Sequence, residues 1–231
     1  MSENIKKTTK AFRVDLDSSE NQSILKPIAR PFNNQAHQVS EAVKKIDKLI
    51  KNAPYSNDDT ILNHNKIKEA FFSPFKPQLK NAQVFLSHSH ADKNKALEIK
   101  DYLESQTKHK VFIDSLFWDY KDDVLNKLAK YDDISRIEDA FTLILRESLQ
   151  DVIEKCPYFV FLQSKNSVSN QGLSRITYSA WIYEELKIAH SISESRPIPM
   201  MESMQAFHDI SPFLKSFETI TLKKLSQQIN S

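Results

Sequence analysis

The chain has 231 residues, which is long enough for one full domain and an extension. Its 32 basic and 30 acidic residues nearly balance, so the sequence lacks the excess of basic residues that is typical of nucleic-acid-binding proteins. It contains a single glycine, Gly172, whereas glycine-rich phosphate loops need several glycines for close approach of the backbone to phosphate. This disfavours P-loop NTPases, Rossmann dehydrogenases and protein kinases together.

Cysteine content and hydropathy bear on the compartment. The one cysteine, Cys156, cannot form an intrachain disulfide, which fits a reducing environment. The longest apolar runs, such as residues 158–162, are too short to cross a bilayer, and residues 1–10 have lysines with no apolar segment after them. We therefore predict a cytoplasmic protein that binds neither a membrane nor nucleic acid.

The first 80 residues are predicted to form an extension to the main domain. Residues 1–30 are polar and show no apolar period, which indicates a flexible arm. Residues 40–51 and 58–72 have helical spacing of apolar residues, and the prolines at 74 and 77 end the second helix. We place a domain boundary at Lys80, so that 1–80 is a partly disordered, helical extension that packs on the main domain or on another subunit.

After Lys80, predicted strands alternate with predicted helices. The strands are residues 83–87, 110–114 and 158–163, with weaker strands at 198–201 and 219–222. A first helix follows the strand at 83–87 and ends at about residue 105, and further helices are predicted over 122–131, 135–156 and 179–192. This alternation predicts an α/β domain over 81–231 with a central parallel sheet flanked by helices. Ligands bind at the carboxyl ends of such strands, here residues 87–92, 114–119 and 164–169.

One carboxylate lies on an apolar helix face. At about 100° per residue, Glu185 falls within the arc formed by Ile182, Leu186 and Ala189. Glu184 falls on the opposite face, which we expect to be solvated. An inward carboxylate is costly unless it is paired, and burial raises its pKa. Such groups concentrate at functional sites, although a structural salt bridge explains the pattern equally well.

Four segments in order resemble the motifs of one family. Residues 84–93 (VFLSHSHADK) look like a first strand and its loop, and 111–118 (VFIDSLFW) like a second strand and a BB loop. Residues 149–164 look like the approach to the fourth strand, and Ser179-x-Trp181-x-x-x-Glu185-Leu186 is similar to a signature with a catalytic glutamate. Together, over 83–222, they resemble a bacterial-type TIR (Toll/interleukin-1 receptor) domain, which implies a flavodoxin-like TIR fold.

The resemblance also implies a function. Enzymatic members of the family cleave the nicotinamide–ribose bond of NAD⁺, so NAD⁺ is expected as a substrate, with no cofactor and no metal. The chain is then expected to be an NAD⁺ glycohydrolase or ADP-ribosyl cyclase-like enzyme, with Glu185 as the catalytic residue. The residues expected to bind substrate are Ser87, His88, His90, Asp114, Trp118, Ser164 and Trp181. By analogy the protein serves bacterial antiphage (antiviral) defence or stress signalling as a homo-oligomer built by TIR–TIR contacts, with a possible downstream effector or activating partner.

A single carboxylate suits this reaction. Nicotinamide leaves as a neutral molecule from a cationic glycoside, so no general acid is needed, in contrast to most sugar hydrolases. The carboxylate stabilises the developing oxocarbenium ion and accepts hydrogen bonds from the ribose hydroxyls. Three departures from the family pattern leave the pocket shape open: no glycine in the presumed BB loop, a long 119–148 segment, and an apparent insertion at 171–178.

Three alternatives remain at this point. His88-x-His90-x-Asp92 resembles part of a metal-binding loop, but Lys93 stands where that motif has a further histidine. A TIR domain that only assembles with other TIR domains is the second alternative, and the inward Glu185 speaks against it. A deoxyribosyltransferase-like enzyme, which also uses a glutamate on a flavodoxin-like sheet, is the third.

Overall fold

The structure is a computed structural model that describes residues 9–25, 35–52, 55–56, 59–60, 63–73, 80–129, 135–171, 174–193 and 208–231. Its strands are β1 (Lys10–Asp15), β2 (Tyr55–Ser56), β3 (Asp59–Thr60), β4 (Ala82–Ser87), β5 (Lys110–Ile113), β6 (Tyr158–Gln163), β7 (Ser169–Gln171), β8 (Ser174–Thr177), β9 (His208–Asp209) and β10 (Glu218–Thr219). Its helices are α1 (Ser19–Ile24), α2 (Gln35–Lys51), α3 (His64–Phe72), α4 (Lys93–Gln106), α5 (Ser115–Leu128), α6 (Ser135–Lys155), α7 (Ala180–Ser193), α8 (Ser211–Ser216) and α9 (Leu222–Asn230).

These elements fall into two compact units. The first contains Met1–Ile28, Asn81–Asp114 and Leu149–Ser231, and the second contains Ala29–Lys80 and Ser115–Ser148. Each unit takes segments from both sides of residue 80, where the sequence analysis places a domain boundary.

The first unit is built on a five-stranded parallel sheet in the order β10-β1-β6-β4-β5. The predicted α/β class with a central parallel sheet is confirmed, and the apolar residues of β4, β5 and β6 are buried as expected. The chain leaves β4 for β5 and returns to β6 on the other side of β4, which is the start of the flavodoxin-like order. The topological switch point, where ligands bind in such sheets, thus lies at the carboxyl ends of β4 and β6.

The amino-terminal strand of the sheet was not predicted from the sequence. Lys10 to Asp15 pair in parallel register with Tyr158 to Gln163 of β6, and β10 pairs with the other edge of β1. Phe12, Val14 and Leu16 are buried. The prediction of a flexible arm is wrong for this segment, because these three alternating apolar residues fill one face of a strand at a period of two.

Helices and a small second sheet complete the first unit. α4 contacts β5, and α7 contacts β1. β7, β8 and β9 form an antiparallel sheet, and β8 lies within the expected insertion at 171–178. Ser179 follows β8 and accepts a hydrogen bond from the backbone N–H of Ile182, so it caps the first turn of α7. The small sheet therefore leads directly into the helix that carries Glu185.

The second unit holds the predicted helices of the extension, with a pair of short strands. Phe71 of α3 makes edge contacts with the rings of Phe72, Tyr120 and Phe141. The predicted helix at 58–72 begins only at His64, because residues 59–60 pair with β2 instead. Asn63 caps that helix by accepting a hydrogen bond from the N–H of Lys66.

Two other boundaries differ from the sequence predictions. α5 begins at Ser115, directly after Asp114, where a BB loop was expected; no glycine or proline interrupts the helical pattern there. The strand predicted at 219–222 is confined to Glu218–Thr219, because Thr221 caps α9 through the N–H of Lys224. The strand predicted at 198–201 lies outside the described residues.

Candidate functional site

Glu185 is fully buried on the inner face of α7. Its relative exposure is 0%, and Ile182, Leu186 and Ala189 of the same face are buried with it. The prediction of an inward carboxylate is confirmed. Glu184 differs from its prediction: its side chain is only 16% exposed, with an oxygen 3.6 Å from Nζ of the buried Lys187. The two neighbouring glutamates thus face different partners, but neither is an ordinary solvated charge.

Ser87 is a direct hydrogen-bond partner of Glu185. It is the last residue of β4, and its side chain is buried. Its Oγ donates to Oε2 of Glu185 at 2.5 Å, the short range of hydroxyl–carboxylate bonds. The carboxyl end of β4 and the inner face of α7 therefore meet at this carboxyl group.

Asp114 brings a second carboxyl group to Glu185. It follows β5 directly and is 5% exposed, and its charge acts on the carboxyl group of Glu185. Oε1 of Glu185 has no donor among the described residues. The nearby negative charge of Asp114 therefore disfavours ionisation of Glu185.

His88 contacts Asp114. Its side chain is fully buried, and Nδ1 is 3.0 Å from Oδ1 of Asp114. An imidazole at this distance stabilises a negative charge on Asp114 when the ring is protonated. The order of groups is thus Ser87, Glu185, Asp114 and His88, contributed by two neighbouring strand ends and one helix.

The electrostatic environment raises the pKa of Glu185 well above its ordinary value. Burial is the largest cause, followed by the charge of Asp114 and by the hydrogen bond with Asp114. The hydrogen bond from Ser87 acts in the opposite direction and does not outweigh them. The Glu185 carboxyl group is therefore harder to ionise than that of an ordinary glutamate.

A second network joins the loops after β4 and β6. The Ser164 hydroxyl donates a very short hydrogen bond to Asp92, and Nδ2 of Asn166 donates to the same carboxylate at 2.9 Å. Ser164, which was predicted to bind substrate, donates its hydroxyl hydrogen to Asp92 in this structure. The bond from Asn166 to Asp92 was not predicted, because an asparagine in a loop of Ser and Lys residues matches no recognisable sequence motif.

The remaining predicted residues are more dispersed. His90 is exposed, and Trp181 is half-buried one turn before Glu185 on α7. The side chain of Trp118 lies outside the described residues. His88, His90 and Asp92 have separate surroundings, and no group of three metal-binding side chains occurs in the part of the chain that the structure describes.

Comparison with known proteins adds no identification. No model of a protein family, no curated protein and no solved structure matches this chain. Within the described residues, no helix has both the length and the apolar character needed to cross a membrane. The chemistry of the site follows from its own groups, which are two carboxyl groups, a hydroxyl and an imidazole, all buried near the carboxyl ends of β4 and β5.

Proposed function

We propose that the protein hydrolyses the nicotinamide–ribose bond of NAD⁺ as a TIR-type glycohydrolase, with Glu185 as the catalytic carboxylate. The observation that carries the proposal is the buried carboxyl group of Glu185 at the carboxyl ends of β4 and β5, where it accepts a hydrogen bond from Ser87 and is subject to the charge of Asp114. The resemblance of residues 179–186 to a TIR signature supports the same residue. Cytoplasmic location and homo-oligomeric assembly through TIR–TIR contacts belong to this proposal.

The charge of the site suits a cationic substrate. Burial and the charge of Asp114 disfavour ionisation of Glu185. A positively charged nicotinamide riboside acts in the opposite direction and favours ionised Glu185. The carboxylate then faces the oxocarbenium ion in surroundings of low dielectric constant, where it stabilises the transition state far more than it would in water.

Substrate must reach a carboxyl group that is closed to solvent. Because Glu185 has no exposed surface, the ribose contacts it only after the side chains that cover it move aside. Exclusion of bulk water around the bound ribose then follows from the same burial. Substrate binding is expected to be linked to such a local opening.

The test is NAD⁺ cleavage by full-length protein, followed by mass spectrometry of the products. Glu185→Gln keeps the volume of the side chain and removes its charge, so cleavage should fall by about 100-fold or more. Glu154→Gln, an exposed residue of α6, is the matched control and should cleave NAD⁺ at the wild-type rate. Full activity of Glu185→Gln, or no cleavage by the wild-type protein, contradicts the proposal; the second result favours a non-enzymatic assembly module.

A further inference from the structure

We propose that His88 is the base that activates water in the hydrolysis of NAD⁺, and that Asp114 is the positioning residue that orients its ring. This inference rests on the proposed function and deepens it, because it assigns the second half of the reaction to a residue other than Glu185. Glu185 stabilises the ribosyl cation, and His88 takes a proton from the water that attacks this cation.

His88 is buried at the strand end that also carries a partner of Glu185. Its side chain has 0% exposure. It directly follows Ser87, whose Oγ donates to Oε2 of Glu185 at 2.5 Å. The α-carbons of consecutive residues are about 3.8 Å apart, so the hydroxyl and the imidazole start from neighbouring points at the carboxyl end of β4.

The contact with Asp114 determines which ring nitrogen of His88 can accept a proton. Leu86 of β4 is paired with Ile113 of β5, so the residues that follow these strands leave the sheet side by side. Nδ1 of His88 lies 3.0 Å from Oδ1 of Asp114. A negative charge at this distance favours a hydrogen on Nδ1, which leaves the lone pair of the neutral ring on Nε2.

Two buried polar atoms near this strand end indicate where a ligand binds. Nε2 of His88 and Oε1 of Glu185 are buried, and neither has a hydrogen-bond partner among the described residues. A buried polar atom without a partner is costly, so such atoms call for a partner from outside the chain. A lone pair on Nε2 and a carboxylate oxygen both accept hydrogen bonds, which fits a water molecule and the hydroxyl groups of a ribose.

The reaction balances with water as the only further reactant. The bond between C1′ and the ring nitrogen of nicotinamide breaks, and its electron pair stays on nicotinamide, which leaves as a neutral molecule. The water oxygen then bonds to C1′ while Nε2 of His88 removes one of the water protons. Asp114 stabilises the resulting imidazolium, and the proton passes to solvent when the products leave.

The two halves of the reaction can be measured separately. Nicotinamide can add back to the ribosyl cation, and this return needs no base because the ring nitrogen has no proton to lose. Labelled nicotinamide therefore enters NAD⁺ through the first half of the reaction alone. Loss of the base should slow hydrolysis by about 100-fold, within the range of general acid–base catalysis, and this exchange by less than about tenfold.

The experiment measures NAD⁺ hydrolysis and exchange of labelled nicotinamide by full-length wild-type protein, His88→Gln and His109→Gln. His109 is a half-buried histidine just before β5, with its ring 5.7 Å from that of Tyr158, and it controls for the loss of an imidazole. His109→Gln should keep both rates. A selective loss of hydrolysis in His88→Gln supports the inference, whereas an equal loss of both reactions, or no loss, overturns it.

Asp114→Asn tests the same inference with the histidine in place, and it decides the question if His88→Gln does not fold. It keeps the volume of the side chain and removes the charge that favours hydrogen on Nδ1. Hydrolysis should again fall selectively. Nitrogen-15 NMR of histidine-labelled protein should show His88 with hydrogen on Nδ1 in the wild type and a shift towards Nε2 in Asp114→Asn. A wild-type ring with hydrogen on Nε2 alone would overturn the inference without any measurement of turnover.

The outcomes separate this inference from the proposed function. NAD⁺ cleavage by the wild type that persists in His88→Gln leaves the proposed function standing and refutes the inference. Neither hydrolysis nor exchange by the wild type refutes both. Loss of both reactions in Glu185→Gln, together with loss of hydrolysis alone in His88→Gln, supports the assignment of the two residues to the two halves of the reaction.

Discussion

Replacement of Phe12 tests whether the first strand is an integral part of the sheet. Phe12 is 1% exposed at the middle of β1, and its ring lies 6.4 Å from that of Tyr158 on β6. Phe12→Ala removes a buried ring and leaves a cavity, which costs about 3–5 kcal/mol. The total free energy of unfolding of a natural protein is about 5–15 kcal/mol, so this is a large share. A urea midpoint falls by about 1–2 M if the slope is about 3 kcal/mol per M.

Urea unfolding followed by circular dichroism measures this change, and Cys156 supplies a second probe. Burial raises the pKa of the Cys156 thiol to about 12, so a thiol reagent labels it only when the structure opens. Cys156 lies beside the start of β1, since its carbonyl accepts a hydrogen bond from Thr9. Phe12→Ala should be labelled faster than the wild type, and Lys10→Ala, an exposed change in the same strand, should behave as the wild type. An unchanged midpoint and labelling rate for Phe12→Ala would mean that β1 is a dispensable arm.

Two other predictions concern stability. Asn21→Ala should lower the free energy of unfolding, measured in urea, by about 1–3 kcal/mol. Asn21 donates to the carbonyl of Asp15 and accepts from the N–H of Leu222, so its loss leaves two backbone groups without these partners. A change below about 0.5 kcal/mol would contradict this role. The raised pKa of Glu185 means that the folded state binds this proton more tightly than the unfolded state, so wild-type stability should decline as pH rises from the ordinary carboxyl range through the raised value. Melting temperatures measured across pH should show a smaller decline for Glu185→Gln, and parallel curves for the two proteins would argue against a buried acid.

The strands that carry the site were predictable because their signals are local. β4, β5 and β6 are short runs of apolar residues between polar segments, and a strand buried on both faces needs no more than this. The amino-terminal strand was missed because only Phe12, Val14 and Leu16 are buried along it, and the alternating residues are polar or partly exposed. A search for a period of two in residues 10–16 would have found it.

The partners of Glu185 depend on long-range placement. Ser87 and Glu185 are 98 positions apart, and their contact exists because the end of β4 lies against the inner face of α7. A helical wheel identifies which face of α7 is apolar, but it does not contain the position of the neighbouring strands. The half-buried state of Glu184 has the same origin, since the wheel describes α7 alone and Glu184 pairs with a buried lysine.

The pairing of two carboxyl groups changes what a single inward glutamate means. Alone, a buried Glu185 would be neutral and would offer an oxocarbenium ion no charge. Asp114 and His88 bring further charge to the same site, with 3.0 Å between Nδ1 of His88 and Oδ1 of Asp114. The proposed cleavage of a cationic glycoside therefore depends on the charge of the whole group and not on Glu185 alone.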